Sequence, residues 1–391
     1  MRICQITLHA YDFAGLGIIV YRAADELTQR GHEVLTIATD AKLGDRTPIA
    51  DIVIPAIGGS ALTRLRDHLW YHRAYKHIRR AVEHFKPDVV HLHTTSPFSP
   101  SVFAAVRGIP TLLFVHGPET FTLRLLPWFL PAWAYRHGSY KWEDLTPAGR
   151  LLYLYMRYLL RPAHRLGLRR VSRVLCASEF YAEALACDVP HDIVHVLPYG
   201  IRLPEPRPLP SDPVVLFVGR LECVKGADVL LRALPAVLDA VPGARLEIVG
   251  DGPERTRLTQ LAVTLGLTGR VSFKGWVTRD ELLCAYERAA VVVVPSIWHE
   301  AFGLVAVEAS GTGRPVVASA VGGLAELVDD DVTGYLVPPY DATALANALI
   351  RVLGDPDRAR RMGQAAAKKA QAFRLDPFVD ELEAHYRAIV N

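Results

Sequence analysis

Residues 291–308 read Val291-Val292-Val293-Val294-Pro295-Ser296-Ile297-Trp298-His299-Glu300-Ala301-Phe302-Gly303-Leu304-Val305-Ala306-Val307-Glu308. Four consecutive valines stopped by a proline have the length and β-branched content of a buried strand, and the residues after Gly303 suit a helix. Glu300 and Glu308 therefore fall near a strand-to-helix crossover, the edge at which open α/β sheets take their ligands. Free helix N–H groups meet phosphate or sugar oxygens at such an edge, and carboxylates accept hydrogen bonds from hydroxyls. The spacing points to a sugar nucleotide.

The same rhythm extends in both directions. Upstream, strand-like runs at 2–8, 33–38, 88–92 and 111–115 alternate with helical patterns, one of them following Gly17 and ending near Gly31. Runs at 173–176 and 193–197 follow, and then a stretch carrying Pro198, Pro204, Pro206, Pro208, Pro210 and Pro213 interrupts the pattern. A second series runs through 214–218, 245–249, 271–273, 290–294 and 315–319. The expected organisation is an α/β chain with a first domain over 1–197, a linker over 198–213, a second parallel-sheet domain over 214–376 and a closing helix over 377–391. In that last segment Phe378, Leu382, Tyr386 and Val390 recur every four residues, so one helical face is expected to be buried against the first domain.

Other strand ends carry polar groups too. Gly219-Arg220-Leu221-Glu222-Cys223-Val224-Lys225-Gly226 follows the run 214–218 and puts two cations in one loop. Arg220 offers a fork of donors and Lys225 a mobile point charge, a pair suited to a pyrophosphate; ordinary surface charge is the alternative. Ala14-Gly15-Leu16-Gly17 follows the first strand, where small residues let a ligand approach the backbone or simply make a tight turn. His116 follows the run 111–115, and His91 and His93 close the run before it; each reads as a site residue or as a structural histidine.

In their order along the chain, these pieces resemble the retaining glycosyltransferases of family 4. The matching elements are the glycine turn, His91-Leu92-His93, Val115-His116-Gly117, Gly219-Arg220 with Lys225-Gly226, Gly250-Asp251-Gly252-Pro253, and the two glutamates with seven residues between them. The resemblance covers nearly the whole chain and implies the GT-B fold, two Rossmann-like domains facing each other across a cleft. It also implies a nucleotide-sugar donor held mainly by the C-terminal domain and an acceptor held mainly by the N-terminal one. By the same resemblance Arg220 and Lys225 bind the diphosphate in place of a required metal, so no cofactor is expected. Glu300 contacts the sugar hydroxyls, Phe302, Gly303 and Leu304 present backbone groups, and Glu308 contacts the ribose. Gly15 and Gly17 admit the donor phosphate, and His116 orients the transferred sugar. Three positions depart from the family pattern: Ala14 stands for a glycine, Tyr199 for the asparagine of a Pro-Asn-Gly turn, and Ala301 for a glycine or proline.

The remaining composition bounds the partners. With 391 residues, 50% hydrophobic and 22% charged, the chain has enough apolar material for two cores, and a net charge of +3 argues against nucleic acid as a partner. The five cysteines are scattered with no C-x-x-C pair, and the N-terminal run ends too soon for a secretory signal, so a cytoplasmic setting is expected. Local charge is another matter. Residues 119–173 hold ten basic side chains against Glu119, Glu143 and Asp144 with many interleaved aromatics, and residues 64–80 hold six against Asp67. Both stretches suit a peripheral contact with an anionic membrane at its inner face, although a solvated helix face for 64–80, and a core-packed insertion or a wall around a soluble glycan or aglycone for the aromatic stretch, remain alternatives. The expected reaction moves a hexosyl group from a UDP- or GDP-sugar to a glycan, lipid-linked or small-molecule acceptor. A noncatalytic sugar-nucleotide-binding protein and a glycoside hydrolase using the two glutamates are the competing readings.

Overall fold

The computed structural model describes residues 1–11, 15–41, 47–131, 134 and 142–390. The chain divides into two compact units, Met1–Gly200 with Leu375–Asn391, and Ile201–Arg374. Each is a parallel α/β sheet with helices between its strands.

Among the described residues the first unit has seven strands: β1 (Arg2–His9), β2 (Glu33–Thr39), β3 (Ile52–Ile54), β4 (Val89–Leu92), β5 (Thr111–Val115), β6 (Arg173–Cys176) and β7 (Val194–Val196), in the order β3-β2-β1-β4-β5-β6-β7. The second has six: β8 (Val214–Val218), β9 (Arg245–Val249), β10 (Val271–Gly275), β11 (Val291–Val294), β12 (Val316–Ser319) and β13 (Gly334–Val337), in the order β10-β9-β8-β11-β12-β13. The chain order reverses between β1 and β4 in one sheet and between β8 and β11 in the other. Strand-end loops diverge at such a reversal and leave a crevice. It is the fold, then, that brings the loop after β8 beside the loop after β11.

Helices cover both faces of a parallel sheet, so its strands are apolar on both sides instead of alternating. All four valines of β11 are buried, as is every residue of β4, β5 and β12. In the second unit Val215, Phe217, Val291 and Val293 share a core with Leu230 and Leu234 of the helix Ala227–Ala240 and Leu345 and Leu349 of the helix Ala342–Gly354.

The C-terminal helix spans Leu375–Val390 and belongs to the first unit, buried through Phe378, Leu382 and Tyr386. Val390, expected on the same face, is exposed. Arg30 holds this helix through Asp380 and Glu383, and His32 Nε2 lies 3.3 Å from Glu383.

The proline-rich stretch from Ile201 onward lies with the second unit. Prolines have carbonyls to offer but no N–H, so a strap of them needs donors from elsewhere. Arg314, fully buried, supplies them: its guanidinium donates to the carbonyls of Arg207 and Pro208 at 3.0 and 3.1 Å, and to those of Tyr286 and Glu287 at 2.8 and 3.0 Å.

Candidate active site

In the second unit the loop after β8 is built for close packing. Gly226 adopts φ +67°, and a Cβ there would meet the Pro295 carbonyl oxygen at 1.9 Å. Two residues before it, the Val224 carbonyl accepts a 2.9 Å hydrogen bond from the Ile297 N–H. The loops after β8 and β11 are thus laced together by backbone. Their side chains meet as a result: Lys225 Nζ lies 2.6 Å from Glu300 Oε1, and Ser296 Oγ donates to the same oxygen at 2.7 Å. Among the described residues no hydrogen bond engages Glu300 Oε2.

The loop after β12 grips the same residue from behind. The Gly323 N–H donates to the Glu300 carbonyl at 2.8 Å, and a Cβ on Gly322, whose φ is +54°, would sit 2.3 Å from that carbonyl oxygen. Glu300 therefore stands at the junction of three strand-end loops. Phe302, buried, sets its ring edge against Phe373 with centroids 5.4 Å apart. Gly303, at φ 127°, precedes the helix Leu304–Gly311. The first-turn amides of a helix have no intrahelical acceptor.

Arg220 and Glu308 stand elsewhere in the unit's hydrogen-bond pattern. Arg220 Nη2 pairs with Glu222 at 2.6 Å and is exposed, so it joins a loop ion pair and not the Glu300 cluster. Glu308 receives the guanidinium of Arg279 on one oxygen and the Tyr286 hydroxyl on the other, the latter at 2.9 Å. Burial and then the Glu308 charge push the Tyr286 phenol well above its ordinary value, so it stays a donor.

In the first unit Gly15 takes φ +57° with nothing within 4 Å of where a Cβ would stand, and Gly17 is buried in the first turn of the helix Leu16–Gln29. Ala14, one of the departures from the family pattern, lies outside the described residues. The three histidines form a row. His91 and His93 ring centroids are 3.9 Å apart, and His93 Nδ1 is 2.9 Å from His116 Nε2. At its ends His91 Nδ1 meets the Tyr386 hydroxyl at 2.7 Å and His116 Nδ1 meets the Tyr199 hydroxyl at 2.6 Å. Both ring nitrogens of His116 are thereby engaged within its own unit.

Burial keeps these rings neutral. It pushes His93 down to about 3 and, with the neighbouring histidines adding to it, holds His91 and His116 well below the usual 6.5. Burial likewise lowers His164 and His385 to about 4, Arg173 and His195 also acting on His385. The unfolded chain therefore binds more protons below 6.5, and their contribution to stability is complete above that value and falls away beneath it. For each such ring the loss approaches about 1.4 kcal/mol per pH unit. Buried Glu119, raised by burial, acts in the opposite sense but alone. Urea midpoints are expected to hold nearly level from about pH 8.5 to 7.5 and to fall increasingly as the pH drops through 6.5 to 5.5; a series that stays flat or rises below 6.5 would show that these rings are already charged in the fold.

Several of these partners escape a reading of the sequence. Glu119 counts there as one of three acids in a basic stretch, yet it is buried and its carboxylate gathers Thr94 Oγ1 at 2.6 Å, Thr95 Oγ1 and the Ser96 N–H at 3.2 Å each, and the Ser96 hydroxyl. It fixes the loop after β4. The available signal was a lone acid past one strand end facing Thr94-Thr95-Ser96 past the next. Tyr199, noted only as a departure, is the hydrogen-bond partner of His116. Arg279 and Tyr286, the partners of Glu308, carried no local signal.

Two family profiles tile the chain, that of glycosyltransferase family 4 over residues 13–204 and that of the glycosyl transferases group 1 over residues 203–369. Among curated proteins it is similar to a D-inositol 3-phosphate glycosyltransferase of Nocardia farcinica, 39% identical over 201 residues, which are 46% of this chain and 44% of that protein. The corresponding protein of Streptomyces griseus is 43% identical over 178 residues, 43% of this chain and 38% of that one. The chain thus spans less than half the length of these relatives. Among solved structures, sucrose-phosphate synthase from Thermosynechococcus elongatus superposes with a TM-score of 0.76 at 25% identity over 99% of this chain and 98% of that one. Anabaena HepE in complex with UDP-glucose gives 0.70 at 19% over 99% and 100%, a likeness of fold. On its two profiles and its two sheets, the chain belongs to the GT-B glycosyltransferases of the family 4 type.

Proposed function

We propose that this glycosyltransferase moves a hexosyl group, with retention of configuration, from a UDP- or GDP-hexose to a glycan, lipid-linked or small-molecule acceptor. The observation that carries the reading is the Lys225–Glu300–Ser296 cluster at the order reversal of the second sheet. In this scheme Lys225 meets the diphosphate and stabilises the charge that grows on it as the bond to the anomeric carbon breaks. Arg220 joins it by exchanging Glu222 for a phosphate oxygen. The unengaged Oε2 of Glu300 accepts from a sugar hydroxyl, the Gly303–Leu304 backbone offers first-turn amides, and Glu308, held by Arg279 and Tyr286, accepts from the ribose.

His116 is assigned a positioning role, because both of its ring nitrogens are already bonded. Gly15 and Gly17 keep the role of letting a ligand approach the backbone in the first unit. Retention needs no enzymatic nucleophile in this scheme: the acceptor oxygen bonds the face that the diphosphate leaves, and its proton goes to the departing phosphate oxygen. A hydrolase would need one carboxyl as acid and the other as base or nucleophile. Here Lys225 and Ser296 engage one, and Arg279 and Tyr286 the other, which favours transfer.

The donor is supported by likeness, since HepE carries UDP-glucose in its complex. The names of the curated relatives make D-inositol 3-phosphate an acceptor to include in any panel. A thermal-shift screen of UDP-, GDP- and ADP-hexoses tests the donor assignment, since a ligand bound only by the folded state raises its stability. One donor class is expected to raise the melting temperature, and Glu308→Gln to weaken that rise; no shift with any nucleotide sugar counts against the assignment. Because protein cations carry the diphosphate in this scheme, turnover is expected to survive EDTA. Loss of activity on chelation, restored by a divalent ion, would contradict it.

A further inference from the structure

In the connection from β5 to β6, residues 116–172, the described residues gather about a small core of their own, with Leu126, Leu130, Leu145, Met156 and Leu160 buried together. Among the described residues, that core leaves one side of the helical run exposed. The helical run from Pro147 to Leu168 carries Leu151, Leu154 and Tyr158 at three- and four-residue spacing, and all are exposed, as are Leu159 and Leu166 beside them. Leu151 is 71% and Leu166 62% accessible. Single exposed leucines need no explanation, but a row of them along one helical run marks a contact surface.

A second helix extends the patch. Ala61–Leu69 has no buried residue, and Leu62 is 80% accessible. The Tyr155 hydroxyl donates to the Leu65 carbonyl at 2.6 Å, and Leu69 packs on the core of the insert, so the helix lies against the same run. Arginines intersperse the leucines. Among the described residues Arg64, Arg150, Arg165 and Arg169 have no carboxylate within salt-bridge distance, and all four are exposed. Arg150 stands over the Trp142 ring and Arg157 over that of Tyr158, at 5.7 and 5.5 Å, with their cationic heads beside apolar surface.

We infer that this face docks on an anionic lipid bilayer, its leucines and Tyr158 entering the headgroup boundary and its arginines meeting the lipid phosphates. Charge selects this occupant over a second copy of the chain, because two copies joined by this face would oppose their unpaired arginines. A bilayer of acidic lipids satisfies the leucines and the arginines together. No helix among the described residues is long and apolar enough to cross a membrane, so the contact is peripheral.

Cosedimentation of the full chain with phosphatidylcholine vesicles, with and without about one quarter phosphatidylglycerol, tests the docking at low and at raised salt. Binding to the anionic vesicles is expected to exceed binding to neutral ones about tenfold and to fall as salt rises. The double substitutions Leu151→Ser with Leu154→Ser, and Arg150→Gln with Arg165→Gln, are each expected to lower it about tenfold, with thermal midpoint and nucleotide-sugar response unchanged. Absence of vesicle binding, variants that bind like the parent, or a dimer that the leucine pair abolishes would each overturn the inference. The outcome is separate from the donor assignment, since vesicles can bind a chain that gives no nucleotide-sugar response, and the reverse.

Discussion

Lys225→Ala is expected to reduce acceptor-dependent turnover by about two to three orders of magnitude, the usual cost of removing one group that stabilises charge in the transition state. The expectation rests on how firmly the lysine is delivered. Gly226 and Pro295 bring two strand-end loops into backbone contact, and the ammonium group is fixed 2.6 Å from Glu300 as a consequence. Truncation removes the cation and leaves the Glu300 carboxylate with Ser296 as its one remaining side-chain partner among the described residues. Both the leaving diphosphate and the sugar contact are then affected, so kcat is expected to fall further than KM rises. Lys225→Arg keeps the charge but replaces a compact ammonium with a planar fork, and only partial recovery is expected. The check is steady-state kinetics with a saturating donor. A truncated variant within a few-fold of the parent would remove Lys225 from the chemistry.

Gly226→Ala should be nearly as damaging by a different route. At φ +67° an L-residue costs about 1–2 kcal/mol by itself. The added methyl would also sit 1.9 Å from a backbone oxygen, a distance that no side-chain rotation relieves. Either the loops part, breaking the bond from Ile297 to Val224, or the helix start moves and carries Lys225 away from Glu300. Urea unfolding is expected to show a loss of about 2 kcal/mol or more, with activity reduced beyond what the unfolded fraction explains. Gly31→Ala is the control: its φ is +88° but nothing lies within 4 Å, so the dihedral cost alone applies. Equal losses in the two variants would mean that the close approach of the loops plays no part.

These two residues also show how far the sequence could be read. Lys225 and Glu300 are visible as members of separate strand-end loops, because a run such as Val291–Val294 declares a buried strand and its end declares an edge. Their contact across 75 residues is not visible, since it depends on β8 and β11 being neighbours in the sheet. The same limit hides Arg279 and Tyr286 behind Glu308. Two strands were missed for local reasons. The first, β3, has only three residues, and β13 begins at Gly334, where a Cβ would strike the Val316 carbonyl oxygen at 1.8 Å, so close packing selected a residue that weakens the strand signal. Charge counting misled in one place, because it cannot separate a solvated acid from Glu119, which is buried under the loop that it fixes.

The basic and aromatic excess over residues 119–173 was legible as composition, but its arrangement was not. Arg161 turns out to be tied to buried Asp188 at 2.6 Å, while Arg150 and Arg165 stay exposed beside leucines that the periodicity alone would place in a core. Arg136, Lys141, Trp133, Tyr135 and Tyr140 from the same tally lie outside the described residues.

In the proposed function the Lys225–Glu300 cluster serves group transfer and not mere nucleotide-sugar binding. Release of nucleoside diphosphate, followed with the donor chosen by thermal shift across glycan, lipid-linked and small-molecule acceptors, tests it most directly. Release that requires donor and acceptor together, and that Lys225→Ala suppresses in a folded protein, is the predicted result. Tight donor binding with no release on any acceptor, or release to water at the same rate without one, would contradict it.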